Sequence, residues 1–189
     1  MSTPDDENAK RMTWRPEEFE SLAEELRRRV AADFRGEAEE VERLAQMQRR
    51  RRAGLRDIAT AAMHQGQGVR LRGFGDEWVG ELTAVGSDYL SLKTATQSLD
   101  ARLDSIVIGL IPARQGGRTG KPASDTFKAR LAEFESTREE VTVRSRQPVI
   151  EAIGIIEVVA RDHIEMRCPA ERCYLPIDGV YVVIRPLSE

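Results

Sequence analysis

An internal duplication is the feature of this sequence that most constrains its fold. Residues 143–186 align with residues 69–112 without a gap, at an offset of 74 residues, which is the separation of Gly80 and Gly154. Identical residues in the two segments are Val69, Arg70, Arg72, Glu77, Gly80, Val85, Asp88, Asp104 and Pro112 and their counterparts. Apolar positions coincide as well, for example Leu82 with Ile156 and Leu90 with Ile164. Matching alternation predicts two copies of one β-rich unit.

The first copy changes from helical to β-like periodicity after Gly66. Short apolar runs are separated by glycines that suit bends and turns, and the last run, residues 106–111, is stopped by Pro112, which cannot donate to a strand ladder. These signals place a first unit at residues 66–113. Residues 114–123 are rich in glycine and cations and predict a flexible basic linker.

A helix is predicted ahead of each unit. Ser124 is a suitable N-cap for a helix that carries Phe127, Leu131 and Phe134 on one face, so the second unit spans residues 124–189. Residues 14–65 form a charged amphipathic helical region with one apolar stripe, and residues 1–13 are predicted to be disordered. Gly36 either divides this region into a helical hairpin or lies within one long helix, and the stripe also permits coiled-coil pairing.

The repeated pattern resembles the Sm-like (Hfq/LSm-like) family and, more generally, SH3-like barrels. The residues that carry the resemblance are GELTAVGSDYLSL at 80–92 and LDSI at 103–106. The resemblance implies an α+β chain with two small repeated barrels, and it implies barrels that pair through their terminal strands. The chain is also similar to actinobacterial proteins with a helical N-terminus, a likeness that brings no known activity.

Departures from the family pattern argue against transferring its nucleotide pocket. Ser91 and Glu165 occupy positions where the family often has a base-contacting asparagine. Asp104 and Asp178 stand near the place of its Arg-Gly or Lys-His pair. A carboxylate repels phosphate, so these positions are not predicted to bind RNA.

Composition narrows the classes of function. The net charge is −3, from 29 basic and 32 acidic residues, which gives no overall positive field for nonspecific nucleic-acid binding. Residues 1–10 are polar and acidic, unlike a signal peptide, and no apolar run is long enough to span a membrane, so we expect a cytoplasmic protein. Cys168 and Cys173, spaced to meet across a hairpin loop, are expected to remain thiols in a reducing cytosol. A zinc site would need two further ligands of suitable type, so a metal is not predicted.

Few residues are candidates for chemistry. The neighbours Asp162 and His163 invite an acid–base role, but the repeat partner of His163 is Tyr89, which favours an ordinary half-exposed strand position. The repeated pair Arg144 and Arg146 is interpreted as a solvated strand face. The residues that could contact nucleic acid or an acidic partner are Arg49, Arg50, Arg51, Arg52, Arg56, Arg114, Arg118 and Lys121.

The sequence therefore predicts a non-enzymatic intracellular adaptor that binds proteins through its two barrels and its helical segment. We expect neither a cofactor nor a metal, and we expect a homo-oligomer because both the apolar helix stripe and the terminal strands need cover. The alternative is an RNA-binding regulator that uses the arginines of the helix and the cations of the linker.

Overall fold

The computed structural model describes residues 16–112 and 124–187, in two compact units, Met1–Arg52 and Ala53–Glu189. The described part of the N-terminal compact unit is one helix, α1, Pro16–Arg52. It runs uninterrupted through Gly36, where an added Cβ would meet nothing within 4 Å, so the hairpin alternative is wrong. The predicted disordered segment, residues 1–13, lies outside the described residues, as does the whole of the predicted linker, residues 114–123.

The described residues of the C-terminal compact unit form two shorter helices and ten strands. The helices are α2, Leu55–His64, and α3, Phe127–Thr137. Gly54 separates α2 from α1 because it caps α2 in an extended conformation. The strands are β1 Gly68–Gly73, β2 Asp76–Val85, β3 Tyr89–Lys93, β4 Gln97–Arg102, β5 Val107–Ile111, β6 Glu140–Arg146, β7 Val149–Val159, β8 His163–Arg167, β9 Arg172–Pro176 and β10 Val180–Pro186.

All ten strands form one antiparallel sheet, in the order β5-β1-β2-β3-β4-β10-β6-β7-β8-β9. The prediction of two repeated SH3-like or Sm-like barrels is therefore wrong. A closed barrel would need β4 to pair with β5 and β9 to pair with β10, whereas β4 pairs with β10 of the other half. Each half stays open, and its free hydrogen-bonding groups are used to extend the sheet across the junction.

The duplication is nevertheless visible in the sheet at the offset of 74 residues. Each half has the same strand order, with its last strand beside its first. Register shifts occur at equivalent places, between Leu82 and Ala84 and between Ile156 and Val158. An added Cβ at Gly80 or Gly154 would lie 2.1 or 2.2 Å from a carbonyl oxygen of the next strand, so both positions exclude a side chain.

Two apolar cores lie under the two short helices. Ala59 and Ala62 of α2 close the first core, and the second core contains Phe127, Leu131 and Phe134 of α3. The halves also exchange side chains. Tyr181, Val182 and Ile184 of β10 belong to the first core, and Tyr89 of β3 belongs to the second. Each half therefore completes the core of the other.

A buried ion pair ties α3 to the sheet beside the junction. Asp100 of β4 is 1% exposed and accepts a short hydrogen bond from the Ser91 hydroxyl. The Nε atom of Arg130 lies 3.2 Å from Oδ2 of Asp100, and its guanidinium stacks on Phe134. Burial raises the pKa of Asp100 above its usual value, although Arg130 and the Ser91 hydroxyl act in the opposite direction.

Candidate protein-binding cleft

A cleft of about 390 Å³ opens on the sheet surface between the two halves. The turn between β1 and β2 forms one wall and the start of β7 forms the other. We call it the junction cleft, and it is lined by Phe74, Asp76, Arg144, Ser145, Arg146, Val149, Ile150, Glu151 and Tyr181. Its residues come from β2, β6, β7 and β10 and from the β1–β2 turn, so it exists only because the halves share a sheet.

A network of polar side chains spans the cleft from one half to the other. Arg144 places Nη1 2.5 Å from Oδ1 of Asp76, and its Nε donates to Oε2 of Glu151 at 2.5 Å. The Tyr181 hydroxyl donates to Oδ2 of Asp76 at 2.7 Å. One arginine thus holds two carboxylates, which fixes the geometry of the cleft.

The ionisation of this network favours a fixed structure over proton transfer. Burial, reinforced by the hydrogen bond to Asp76, raises the pKa of Tyr181 to about 12. Burial alone would lower the pKa of Arg144, but its bonds to Asp76 and Glu151 prevail and raise it. At neutral pH the phenol stays protonated and the guanidinium stays charged, so neither group acts as a base.

Apolar side chains form the rim of the cleft. Phe74 is 56% exposed, and its ring centroid lies 4.7 Å from that of Tyr181. Its φ of 51° is unusual for a residue with a large side chain, and the next residue, Gly75, has a φ of 91°. A left-handed residue other than glycine costs on the order of 1–3 kcal/mol, which the ring contact helps to offset. On the opposite wall, Val149 is 89% exposed and Ile150 is 41% exposed.

The charges that line the cleft cancel, since two guanidinium groups accompany two carboxylates. Arg146 is held by the Ser105 hydroxyl, 2.8 Å from its Nη1. Asp104 also lies near Arg146, with an Nη2 to Oδ2 distance of 3.9 Å. Burial would raise the pKa of Asp104, but hydrogen bonds from Ser105 and Arg102 outweigh it and lower the pKa. The cleft therefore combines a neutral polar floor with an apolar rim.

The residues predicted to contact nucleic acid or an acidic partner are not part of the cleft lining. Arg49, Arg50, Arg51 and Arg52, the four-arginine cluster, form the last turn of α1 and are exposed. Arg56 lies in the first turn of α2 and is also exposed. The remaining three candidates, Arg114, Arg118 and Lys121, lie outside the described residues.

The histidine and cysteine candidates are brought into contact as sequence spacing suggested. Nδ1 of His163 lies 2.8 Å from Oδ1 of Asp162 in an exposed turn, and this hydrogen bond lowers the pKa of Asp162. The hairpin of β8 and β9 sets the Sγ atoms of Cys168 and Cys173 3.1 Å apart. Within the described residues, no three side chains of metal-binding type are grouped to hold an ion.

Sequence reasoning missed most of the cleft, including Phe74, Asp76 and Tyr181. At the offset of 74 residues their counterparts are Pro148, Ile150 and Val107, which differ from them in chemistry. That difference is the signal available in the sequence. Where two repeats share a fold but carry unlike side chains at equivalent positions, those side chains are not required to build the fold. Arg144 is also less solvated than expected for a strand face, with only 28% of its side chain exposed.

Among the helices of residues 16–112 and 124–187, none has both the length and the apolar character needed to cross a bilayer. A scan against protein-family models and a search of curated proteins each found no match.

Proposed function

We propose that this chain is a non-enzymatic intracellular adaptor that self-associates and binds another protein in the junction cleft. The occupant is an extended protein segment that places an apolar side chain between Phe74 and Val149. The ion pairs of Arg144 with Asp76 and Glu151 fix the spacing of those two walls, as a preformed site requires.

The observation that carries the proposal is the exposure of the rim. Val149 leaves 89% of its surface in water beside Ile150 and Phe74, which are also exposed. Single exposed apolar residues are ordinary, but three around one concave site provide a surface whose burial favours association. The cancelled charges of the lining favour a protein side chain over a phosphate backbone.

Peptide selection on the immobilised full chain tests the cleft directly. Peptides from a random library are selected on the unaltered protein, and their dissociation constants are then measured with Val149→Asp. Burying a valine contributes about 1.5 kcal/mol, so we expect roughly tenfold weaker binding. Val107→Asp is the matched control, because Val107 is 65% exposed and does not line the cleft.

Two outcomes would contradict the cleft as a protein-binding site. One is a selection that yields no peptide. The other is a set of peptides whose affinity falls equally with Val149→Asp and Val107→Asp. Because both residues are exposed, circular dichroism of the two variants should match that of the unaltered protein.

Self-association is supported by a second exposed surface, on α1. Leu26, Val30, Phe34, Val41 and Leu44 are all between 46% and 67% exposed. An amphipathic helix gains most of its stability from packing its apolar face, which this helix leaves uncovered. Light scattering of the full chain should give at least twice the mass of one chain, and a monomer at micromolar concentration would contradict this part of the proposal.

RNA binding is the second candidate, and the four-arginine cluster is the observation that favours it. Four adjacent exposed guanidinium groups can contact phosphates. Fluorescence anisotropy with a labelled single-stranded RNA, at several salt concentrations, tests it. RNA regulation requires binding that weakens steeply with salt and is lost when the four arginines become glutamine. The adaptor proposal instead expects neither effect.

A further inference from the structure

The charges along α1 form alternating blocks. An acidic block of Glu20, Glu24 and Glu25 precedes a basic block of Arg27, Arg28 and Arg29. A second acidic block, Glu37, Glu39, Glu40 and Glu42, then precedes Arg43 and the four-arginine cluster. This order changes sign when it is reversed about the middle of the helix, near Phe34. A helix with this pattern is complementary to a reversed copy of itself.

The apolar stripe gives that copy a place to bind. At 100° per residue, Leu26, Val30, Phe34, Val41 and Leu44 fall within an arc of roughly 80°. The helix has 37 residues and is therefore about 55 Å long, so the stripe extends over several turns. A second helix laid along it would remove these side chains from water without burying the opposite charged face.

Charges on both flanks of the stripe decide the orientation. In an antiparallel pair centred beside Phe34, positions equally far from the centre meet. On one flank this brings Glu20 to Arg49 and Arg27 to Glu42 of the other copy. All four positions lie beside the stripe on the same side, within reach of the partner helix.

The opposite flank has the same complementarity. There, Glu25 meets Arg43 and Arg29 meets Glu40 of the other copy. Within one chain Arg43 pairs with Glu40 at 2.6 Å, but this pair is exposed and worth little, so exchanging it for contacts with a second copy costs little. A parallel pair in register would instead place each block beside the same block and set like charges together.

We propose that α1 binds α1 of a second copy in antiparallel orientation, with Phe34 near the two-fold axis. This inference rests on the self-association in the proposed function and specifies its contact. It also assigns a role to the four-arginine cluster, whose first residue, Arg49, faces the acidic block of the other copy. The Arg49 guanidinium is then engaged by the Glu20 carboxylate of the other copy when the chain is dimeric.

Cysteine cross-linking of the full chain tests the orientation. In a background with Cys168→Ser and Cys173→Ser, one preparation carries Leu26→Cys and a second carries Leu44→Cys. Antiparallel pairing places position 26 near position 44 of the other copy and about 25 Å from its own counterpart. The mixture should therefore form a disulfide-linked dimer at least about tenfold faster than either preparation alone.

A charge exchange provides a second measurement that does not disturb the stripe. Arg29→Glu places two carboxylates opposite each other at two symmetric places. We therefore expect the dissociation constant of the dimer to rise about tenfold. Adding Glu40→Arg to the same chain restores opposite charges and should return the dissociation constant to near its original value. This rescue would not occur if Arg29 acted only through the stability of its own helix.

The outcomes separate this inference from the broader proposal. A parallel pair would cross-link position 26 to position 26 and position 44 to position 44, and the mixture would contain no dimer that joins position 26 to position 44. That result would overturn the antiparallel arrangement while leaving self-association intact. A monomer by light scattering would overturn both. A dimer that is indifferent to Arg29→Glu and forms no cross-link through α1 would move the contact to another surface.

Discussion

Removing Arg130 should expose the energetic cost of the buried carboxylate at the junction. Arg130→Met preserves length and apolar contact with Phe134 but leaves Asp100, which is 1% exposed, without its positive partner. Breaking a buried pair on one side costs about 3–5 kcal/mol, because the remaining charge keeps its desolvation penalty. Urea denaturation of the full chain near pH 7 should show a loss of this size.

The pH dependence gives this prediction its sharpest test. The pKa of Asp100 is already raised by burial, so the folded state binds its proton more tightly than the unfolded state does. Stability from this group is thus present at low pH and is lost as pH rises through the folded pKa. Without Arg130 the pKa rises further, so lowering the pH by two units should recover up to about 2.7 kcal/mol of the loss.

Two variants isolate the charge effect. Asp100→Asn combined with Arg130→Met removes both charges and should recover most of the stability. Arg185→Met is the weaker comparison, because Arg185 lies over the same Phe134 ring, at 5.7 Å, from a more exposed position, and it lowers the pKa of Asp100 less than Arg130 does. It should cost about 1 kcal/mol or less. An equal loss for Arg130→Met at both pH values would refute the reasoning.

Three further predictions concern backbone packing and the thiols. Gly154→Ala should destabilise the sheet by at least about 2 kcal/mol in urea, because its Cβ would lie 2.2 Å from the Arg167 carbonyl oxygen. Gly109→Ala meets only ordinary contacts, and an equal loss there would contradict the explanation. Gly36→Ala should stabilise α1 by about 1 kcal/mol, which circular dichroism would detect as higher helicity and a higher melting temperature. An unchanged melting temperature would count against a continuous helix. Burial raises the pKa of Cys168 to about 11, so its alkylation by iodoacetamide should be slow near pH 8 and accelerate in more alkaline solution; rapid reaction at neutral pH would disprove it.

The alternation of apolar residues predicted two β-rich segments, and the strands of the described residues lie within them. Pro112 ends β5 as expected, and Gly80 and Gly154 occupy equivalent positions where neighbouring backbones approach closely. These features are local, because they depend on pleat period, on a missing amide hydrogen or on a missing Cβ. A structural feature with a local cause can be recognised from the residue types at that place in the sequence.

The partner of each edge strand could not be predicted in the same way. Closing β5 onto β4 and pairing β4 with β10 satisfy the same kind of backbone hydrogen bonds, and side-chain alternation does not distinguish them. The choice depends on side chains far apart in sequence, such as Tyr181, which leaves its own half to join the first core. The barrel prediction failed at this step, where pairing is determined by tertiary packing.

The cleft was hidden for a related reason. Arg144 is one of the identical residues of the duplication, yet it acts through Asp76 of the other half, whose own counterpart is Ile150. A repeat analysis draws attention to what the halves share, and those shared positions mainly build the sheet. The side chains that distinguish the cleft stand at positions where the two halves differ, such as Asp76, whose counterpart is Ile150.

The junction explains why the structure and the proposed binding site depend on one another. Tyr181 packs into the first core and also donates to Asp76 on the cleft floor, so a single side chain serves both. A ligand that stabilises the floor therefore stabilises the association of the two halves as well, by an amount set by its affinity and concentration. The cleft is for this reason a property of the continuous sheet, and neither half could provide it alone.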